Sequence, residues 1–184
     1  MNPMNQHKSL YRLHKMLHLI RYANMDPEEV VKGLRIPEGV EIIVFTDASG
    51  KSPTGEAGIG IVITTAEGYI LHQESHMILD ASMSKSVTRL ETFAAYVAMQ
   101  IVPHEQILLV SDNDTVVKNI AKIREGRILS DKKYDLDIWS EIQSFMSDHP
   151  GVHSQWIRAK AGNLGNELAD TAARKNRNRP LRPH

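Results

Sequence analysis

Residues 41–47 read Glu-Ile-Ile-Val-Phe-Thr-Asp, and residues 106–112 read Gln-Ile-Leu-Leu-Val-Ser-Asp. Each is a short apolar run that closes on a carboxylate, and each predicts a strand whose last residue is charged. An ionisable group on an otherwise apolar strand is costly unless something holds it. If the two strands lie parallel in one sheet, Asp47 and Asp112 emerge together at its carboxyl-end crevice.

The rest of the chain supplies that sheet. Ala57 to Thr65 and Tyr69 to Leu79 continue the strand pattern after Glu41 to Asp47, separated by Gly-containing turns, and predict an antiparallel meander. A helix over Thr88 to Gln100, the strand Gln106 to Ser111 and a helix over Asn113 to Arg124 follow. The polar stretch Arg124 to Tyr134 predicts a loop, Asp135 to His149 a helix, Val152 to Ala159 a fifth strand and Asn166 to Lys175 a last helix. The fold class is therefore α/β, with a mixed five-stranded sheet of three antiparallel and two parallel strands flanked by helices.

Ahead of the sheet, Leu10, Leu13, Leu17 and Ile20 share one face of a helix over Lys8 to Arg21. Asp26-Pro27-Glu28-Glu29 announces a second, short helix ending near Gly33. Residues 1–36 are thus read as a helical extension, 37–175 as the main domain and 176–184 as a basic tail. The net charge is zero, but it divides into +3 over residues 1–35, −8 over 36–170 and +5 over 171–184. This reads either as a solvated surface with a basic tail or as an acidic centre flanked by segments that grip phosphate, and charge alone does not choose between the two.

With 41% apolar residues in 184, the chain can bury a core, and it has no cysteine. That excludes disulfides, thiolate nucleophiles and sulfur-bound metals. No segment approaches the ~20 apolar residues of a membrane span, so a soluble, cytoplasmic protein without a membrane partner is expected.

Two more acids stand out. Glu91 lies in Arg-Leu-Glu-Thr-Phe-Ala-Ala-Tyr, residues 89–96, on a helix apolar enough to pack on the sheet. Asp170 closes Asn-Glu-Leu-Ala-Asp, residues 166–170, near the start of the last helix. Taken singly, such acids are turn, cap or solvent-facing residues. Gathered together they repel: two carboxylates ~4 Å apart cost about 4 kcal/mol at an effective dielectric near 20, roughly three pKa units. Four converging acids stay ionised only around cations. Oxygen ligands suit Mg²⁺, with Mn²⁺ as the alternative, and two such ions match phosphodiester hydrolysis.

Four motifs occur in order. They are Phe45-Thr46-Asp47-Ala48-Ser49-Gly50, Thr88-Arg89-Leu90-Glu91, Val110-Ser111-Asp112-Asn113, and Lys160-Ala161-Gly162-Asn163 followed by Asn166-Glu167-Leu168-Ala169-Asp170. Over about residues 41–175 this series resembles type I ribonuclease H. The resemblance implies a metal-dependent endonuclease that cuts the RNA strand of RNA–DNA hybrids, with Asp47, Glu91, Asp112 and Asp170 as catalytic metal ligands and two ions per site. It implies substrate contacts from Ser49, Thr88, Arg89, Asn113, Lys160 and Asn163. A DNA-processing nuclease of the same superfamily, or a catalytically weak nucleic-acid-binding module, is the alternative.

Three departures accompany it. Lys160 stands where the family usually has His, Val87-Thr88 stands where amide side chains are common, and the basic protrusion is reduced to Arg124-Glu125-Gly126-Arg127 and Lys132-Lys133. The remaining polar residues read as ordinary. His14 and His18 share a helix face with His7, while His72, His76, His104, His149 and His153 are scattered. Trp139 and Trp156 fall within apolar patterns and are expected in the core. Asp114 and Glu167 suit helix-cap or first-turn positions, and Ser49 has no adjacent His to form a triad.

Overall fold

The computed structural model describes residues 25–51, 56–102, 106–127, 129 and 135–177. Its elements are α1 (Pro27–Val30), β1 (Ile42–Lys51), β2 (Glu56–Thr65), β3 (Ile70–Ile78), a 3-10 turn (Met83–Lys85), α2 (Val87–Ile101), β4 (Ile107–Ser111), α3 (Asp114–Arg124), α4 (Leu136–Asp148), β5 (Val152–Trp156) and α5 (Leu164–Arg177). The sheet order is β3-β2-β1-β4-β5. The meander β1–β2–β3 is antiparallel, and β1–β4 and β4–β5 are parallel. This is the expected fold class. The expected helix over Lys8 to Arg21 and the tail from residue 178 lie outside the described residues.

Strand alternation sends successive side chains to opposite faces and builds two core layers. On one face Ile42, Val44, Ile59, Ile61 and Leu109 pack under Leu90, Ala94 and Ala98 of α2, Ile120 of α3, and Trp139 and Ile142 of α4. On the other, Ile43, Phe45, Val62, Leu108 and Val110 pack with Val30, Ile157 and Ala169. Trp139 is buried as expected. Trp156 is 47% exposed and is not a core residue, because β5 stops there and leaves the ring beyond the packed layer.

Several boundaries differ from the sequence reading. β1 does not end at Asp47. Its pairing with β4 stops at Phe45, but β2 carries it on to Lys51, so Asp47 lies within a ten-residue strand. β5 ends at Trp156 rather than Ala159, opposite Ser111, the last residue of β4. α5 begins two residues before Asn166, because the Asn163 Oδ1 accepts the Asn166 N–H at 2.8 Å and caps the helix there. Asp170 is accordingly mid-helix.

Residues 25–36 lie against the second face. Val30 is fully buried, and Met25, Val31 and Leu34 pack around it. The Gln155 amide accepts the Arg35 N–H at 3.0 Å, and Asn163 Nδ2 donates to the Lys32 carbonyl at 2.9 Å.

α5 sits unusually close to the sheet, and two glycines permit it. A Cβ on Gly60 would stand 2.1 Å from the Ala169 carbonyl oxygen, and one on Gly165 2.3 Å from the Phe45 ring. Because Gly60 pairs with Asp47, this approach brings α5 over the middle of β1. No helix among the described residues is long and apolar enough to cross a membrane.

Candidate active site

Parallel register places the first two acids. Phe45 pairs with Val110, so Asp47 and Asp112, each two residues farther on, stand level where β4 has ended and β1 continues. Glu91 reaches the same point from α2, whose start is capped by Ser86 accepting the Arg89 N–H at 3.0 Å. One oxygen from each of Asp47, Glu91 and Asp112 lies within 4.8 Å of the others.

These groups are deeply placed. Asp47 is 5% exposed and Glu91 3%. The Ala48 N–H donates to both, at 2.8 Å to Asp47 Oδ1 and 3.2 Å to Glu91 Oε1. Glu91 Oε2 is buried with no hydrogen-bond partner.

Burial pushes the Asp47 carboxyl up to about 7; the Asp112 and Asp170 charges add to this, while hydrogen bonds from Glu91 and Ala48 oppose it. Burial, then the Asp47 charge, raises Glu91 well above its ordinary value. Burial and the Asp170 charge raise Asp112. Low dielectric and like charge thus act together against ionisation.

Asp170 completes the electrostatic group but not the contact group. Its charge reaches Asp47 and Asp112, whereas its carboxylate is paired with Arg174, Nε to Oδ1 at 2.9 Å and Nη2 to Oδ2 at 2.6 Å. Among the described residues the converging set therefore has three members, with Asp170 beside it.

The other expected contacts divide into two sets. Ser49 lies two residues past Asp47 on the same face of β1, and Asn113 Nδ2 stands 3.5 Å from Thr88 Oγ1. Lys160 is exposed in the turn between β5 and α5, in the left-handed region at φ 55°. Arg89 and Asn163, by contrast, are committed to the scaffold. Arg89 is 9% exposed; it donates to the Ser82 carbonyl at 2.8 Å, to Asp135 at 2.9 Å and to both Asp137 oxygens at 2.8 and 2.7 Å. That fork fastens α2 to the start of α4 and holds the Asp137 carboxyl down at about 2. Asn163 uses its oxygen as the α5 cap and its amide nitrogen on Lys32.

Two residues that support Asp112 escaped the sequence reading. The Asn166 side chain hydrogen-bonds the Asp112 carboxylate. Its signal was present, since Asn166 precedes Asp170 by four residues and shares its helix face. The Trp156 indole N–H donates to the Asp112 carbonyl at 2.9 Å.

Three acids this close, two of them buried, fit a cation. The donors are all oxygen, which suits Mg²⁺ or Mn²⁺ rather than a softer ion, and the partnerless Glu91 Oε2 is an acceptor without a donor.

The RNase H family model matches residues 39–178. Ribonuclease H of Polynucleobacter asymbioticus is 27% identical over 142 residues, covering 73% of this chain and 88% of that protein. Ribonuclease H of Orientia tsutsugamushi is 24% identical over 146 residues, 75% of this chain and 83% of its own. Among solved structures, the PFV RNase H domain superposes with TM-score 0.59 at 22% identity, covering 74% of this chain and 93% of that one. LC11-RNase H1 in complex with an RNA/DNA hybrid superposes with TM-score 0.55 at 21% identity, covering 73% and 98%. With the family model spanning most of the chain, and its sheet and acids arranged as described, the protein belongs to the RNase H family.

Proposed function

We propose that the protein is a divalent-metal-dependent endonuclease that hydrolyses the RNA strand of RNA–DNA hybrids in the cytoplasm. The observation that carries the reading is the convergence of one oxygen each from Asp47, Glu91 and Asp112 within 4.8 Å of one another. Asp47, Glu91, Asp112 and Asp170 would hold two Mg²⁺ ions, with Mn²⁺ as a substitute. Bound there, the ions supply an activated water and charge stabilisation at the phosphodiester.

The chain's own residues prepare that chemistry. The Ala48 N–H orients Asp47 and Glu91 toward one point. Asn166 and Trp156 fix Asp112 through its carboxylate and its carbonyl. Ser49, Thr88 and Asn113 form a polar rim for the hybrid, and the exposed Lys160 ammonium offers a phosphate contact in place of an imidazole. We assign catalysis to residues 37–175 and an electrostatic grip on the substrate to the basic tail 176–184. The RNA/DNA hybrid held by LC11-RNase H1 supports the substrate class.

The decisive assay presents labelled RNA–DNA hybrid, double-stranded RNA and duplex DNA with Mg²⁺, Mn²⁺ or EDTA. Cleavage of the RNA strand of the hybrid alone, dependent on metal, is expected. Cleavage of duplex DNA would support the DNA-processing alternative, and binding without cleavage the module.

A further inference from the structure

At the outer edge of the sheet, away from the carboxylates, β5 borders a cavity of about 430 Å³. His153 on β5 pairs with Leu108, four residues before Asp112, so the cavity lies roughly 13 Å upstream at ~3.3 Å per residue. Its floor is apolar, from Leu108, Pro37 and Ala121. Arg35, Arg124 and His153 also line it.

The pocket is held in shape by polar ties. Gln155 grips the segment before Pro37, its oxygen accepting the Arg35 N–H at 3.0 Å and its nitrogen donating to the Gly33 carbonyl at 3.4 Å. Ser154 Oγ donates to the Val117 carbonyl at 2.9 Å and fixes β5 on α3.

Charge balance within this pocket is incomplete. Arg124 Nη2 donates to His153 Nε2 at 3.4 Å, a long hydrogen bond to a neutral ring that leaves the guanidinium charge without a carboxylate. The lining acid, Glu125, is taken by Arg127. Among the described residues neither Arg35 nor Arg124 forms an ion pair with a carboxylate. A volume of a few hundred cubic ångströms lined by apolar and polar groups is the usual form of a small-ligand site, and guanidinium groups favour phosphate.

We propose that this pocket binds a phosphate group, carried by a free nucleotide or by a nucleic-acid backbone, with Arg35 and Arg124 as its cationic walls and His153 as a third donor. An anion seated there bridges Arg124 and His153 and makes the protonated imidazole favourable. Without one, burial and then the Arg124 charge hold the His153 imidazole below its ordinary value.

The test uses the full-length protein in EDTA, so that no ion at the carboxylates recruits phosphate. Inorganic phosphate is titrated while the His153 ring is followed by NMR. A saturable shift at His153 with a rise in its titration midpoint is expected. The double variant Arg35→Met, Arg124→Met should weaken binding by at least about tenfold, since two charged hydrogen bonds are lost. Lys118→Met, on a residue paired with Asp114 elsewhere on α3, should leave it unchanged. A ribonucleoside 5′-monophosphate binding more tightly than phosphate would support the pocket as a nucleotide site. A duplex whose salt dependence flattens in the double variant would support it as a backbone clamp. No saturable shift at His153, or an equal shift in the double variant, overturns the proposal, and neither result bears on cleavage at the carboxylates.

Discussion

Replacing Asp47 by Asn should abolish cleavage while making the metal-free protein more stable. Asn keeps an acceptor for the Ala48 N–H but removes the charge. The Asp47 carboxyl moves from 3.8 to about 7 on folding, mainly through burial. At about 1.36 kcal/mol per pKa unit, the ionised group opposes folding by roughly 4 kcal/mol at most. Because Asp47 and Glu91 share a hydrogen bond, the practical gain should be on the order of 2–4 kcal/mol. The sign depends on pH. Between about 4 and 7 the folded chain binds more protons than the unfolded one, so wild-type stability falls as pH rises through that window. The variant lacks this loss. Urea unfolding in EDTA should therefore show Asp47→Asn well above wild type at pH 8 and close to it at pH 4. Mg²⁺ should restore most of the difference to wild type and little to the variant. No gain at pH 8, or an equal gain at pH 4, would refute the electrostatic account of the site.

Arg89→Met should destabilise the fold by about 2–4 kcal/mol, less than a fully buried pair because Asp137 is largely exposed. Its KM for hybrid should stay near wild type, and a large rise would return Arg89 to the substrate interface. Trp156→Phe removes the hydrogen bond to Asp112 and should cost about 1 kcal/mol of stability; calorimetry should show weaker Mg²⁺ binding, and unchanged affinity would remove Trp156 from the support of Asp112. Lys160→His should hold or raise kcat, whereas a large loss would show that the ammonium itself grips phosphate. Deleting residues 176–184 should weaken hybrid binding at low salt and flatten its salt dependence, with single-turnover cleavage of bound substrate nearly unchanged.

Much of the site was legible because strands advertise misplaced charge. Two near-identical apolar runs ending in Asp pointed to Asp47 and Asp112, and parallel register brings them level. Glu91 was legible from an apolar helix that had to face the sheet. What escaped depends on partners distant in sequence. The length of β1 is set by β2, and nothing in residues 41–47 reveals that pairing. Arg89 sits in a motif beside Glu91, yet its direction is fixed by Asp135 and Asp137, more than forty residues on. The capping role of Asn163 was hidden because it needs the true start of α5. His72 and His76, read as scattered, lie two residues either side of Glu74 and bond its two oxygens at 2.6 and 2.7 Å. Strand period alone would have put them on one face.

The premature end of β4 has an architectural consequence. Past Phe45, β1 keeps β2 as a neighbour but has lost β4, and the Ala48 N–H beyond that point goes to two carboxylates instead of a strand. The site is therefore a missing stretch of sheet, and its room is set by strand length as much as by the acids. One or two residues added to the end of β4 would compete for that N–H and fill the gap, closing it without changing any of the acids around it. The β4–α3 junction is therefore intolerant of insertion, while the turn after β5, which carries Lys160, has no ladder to disturb.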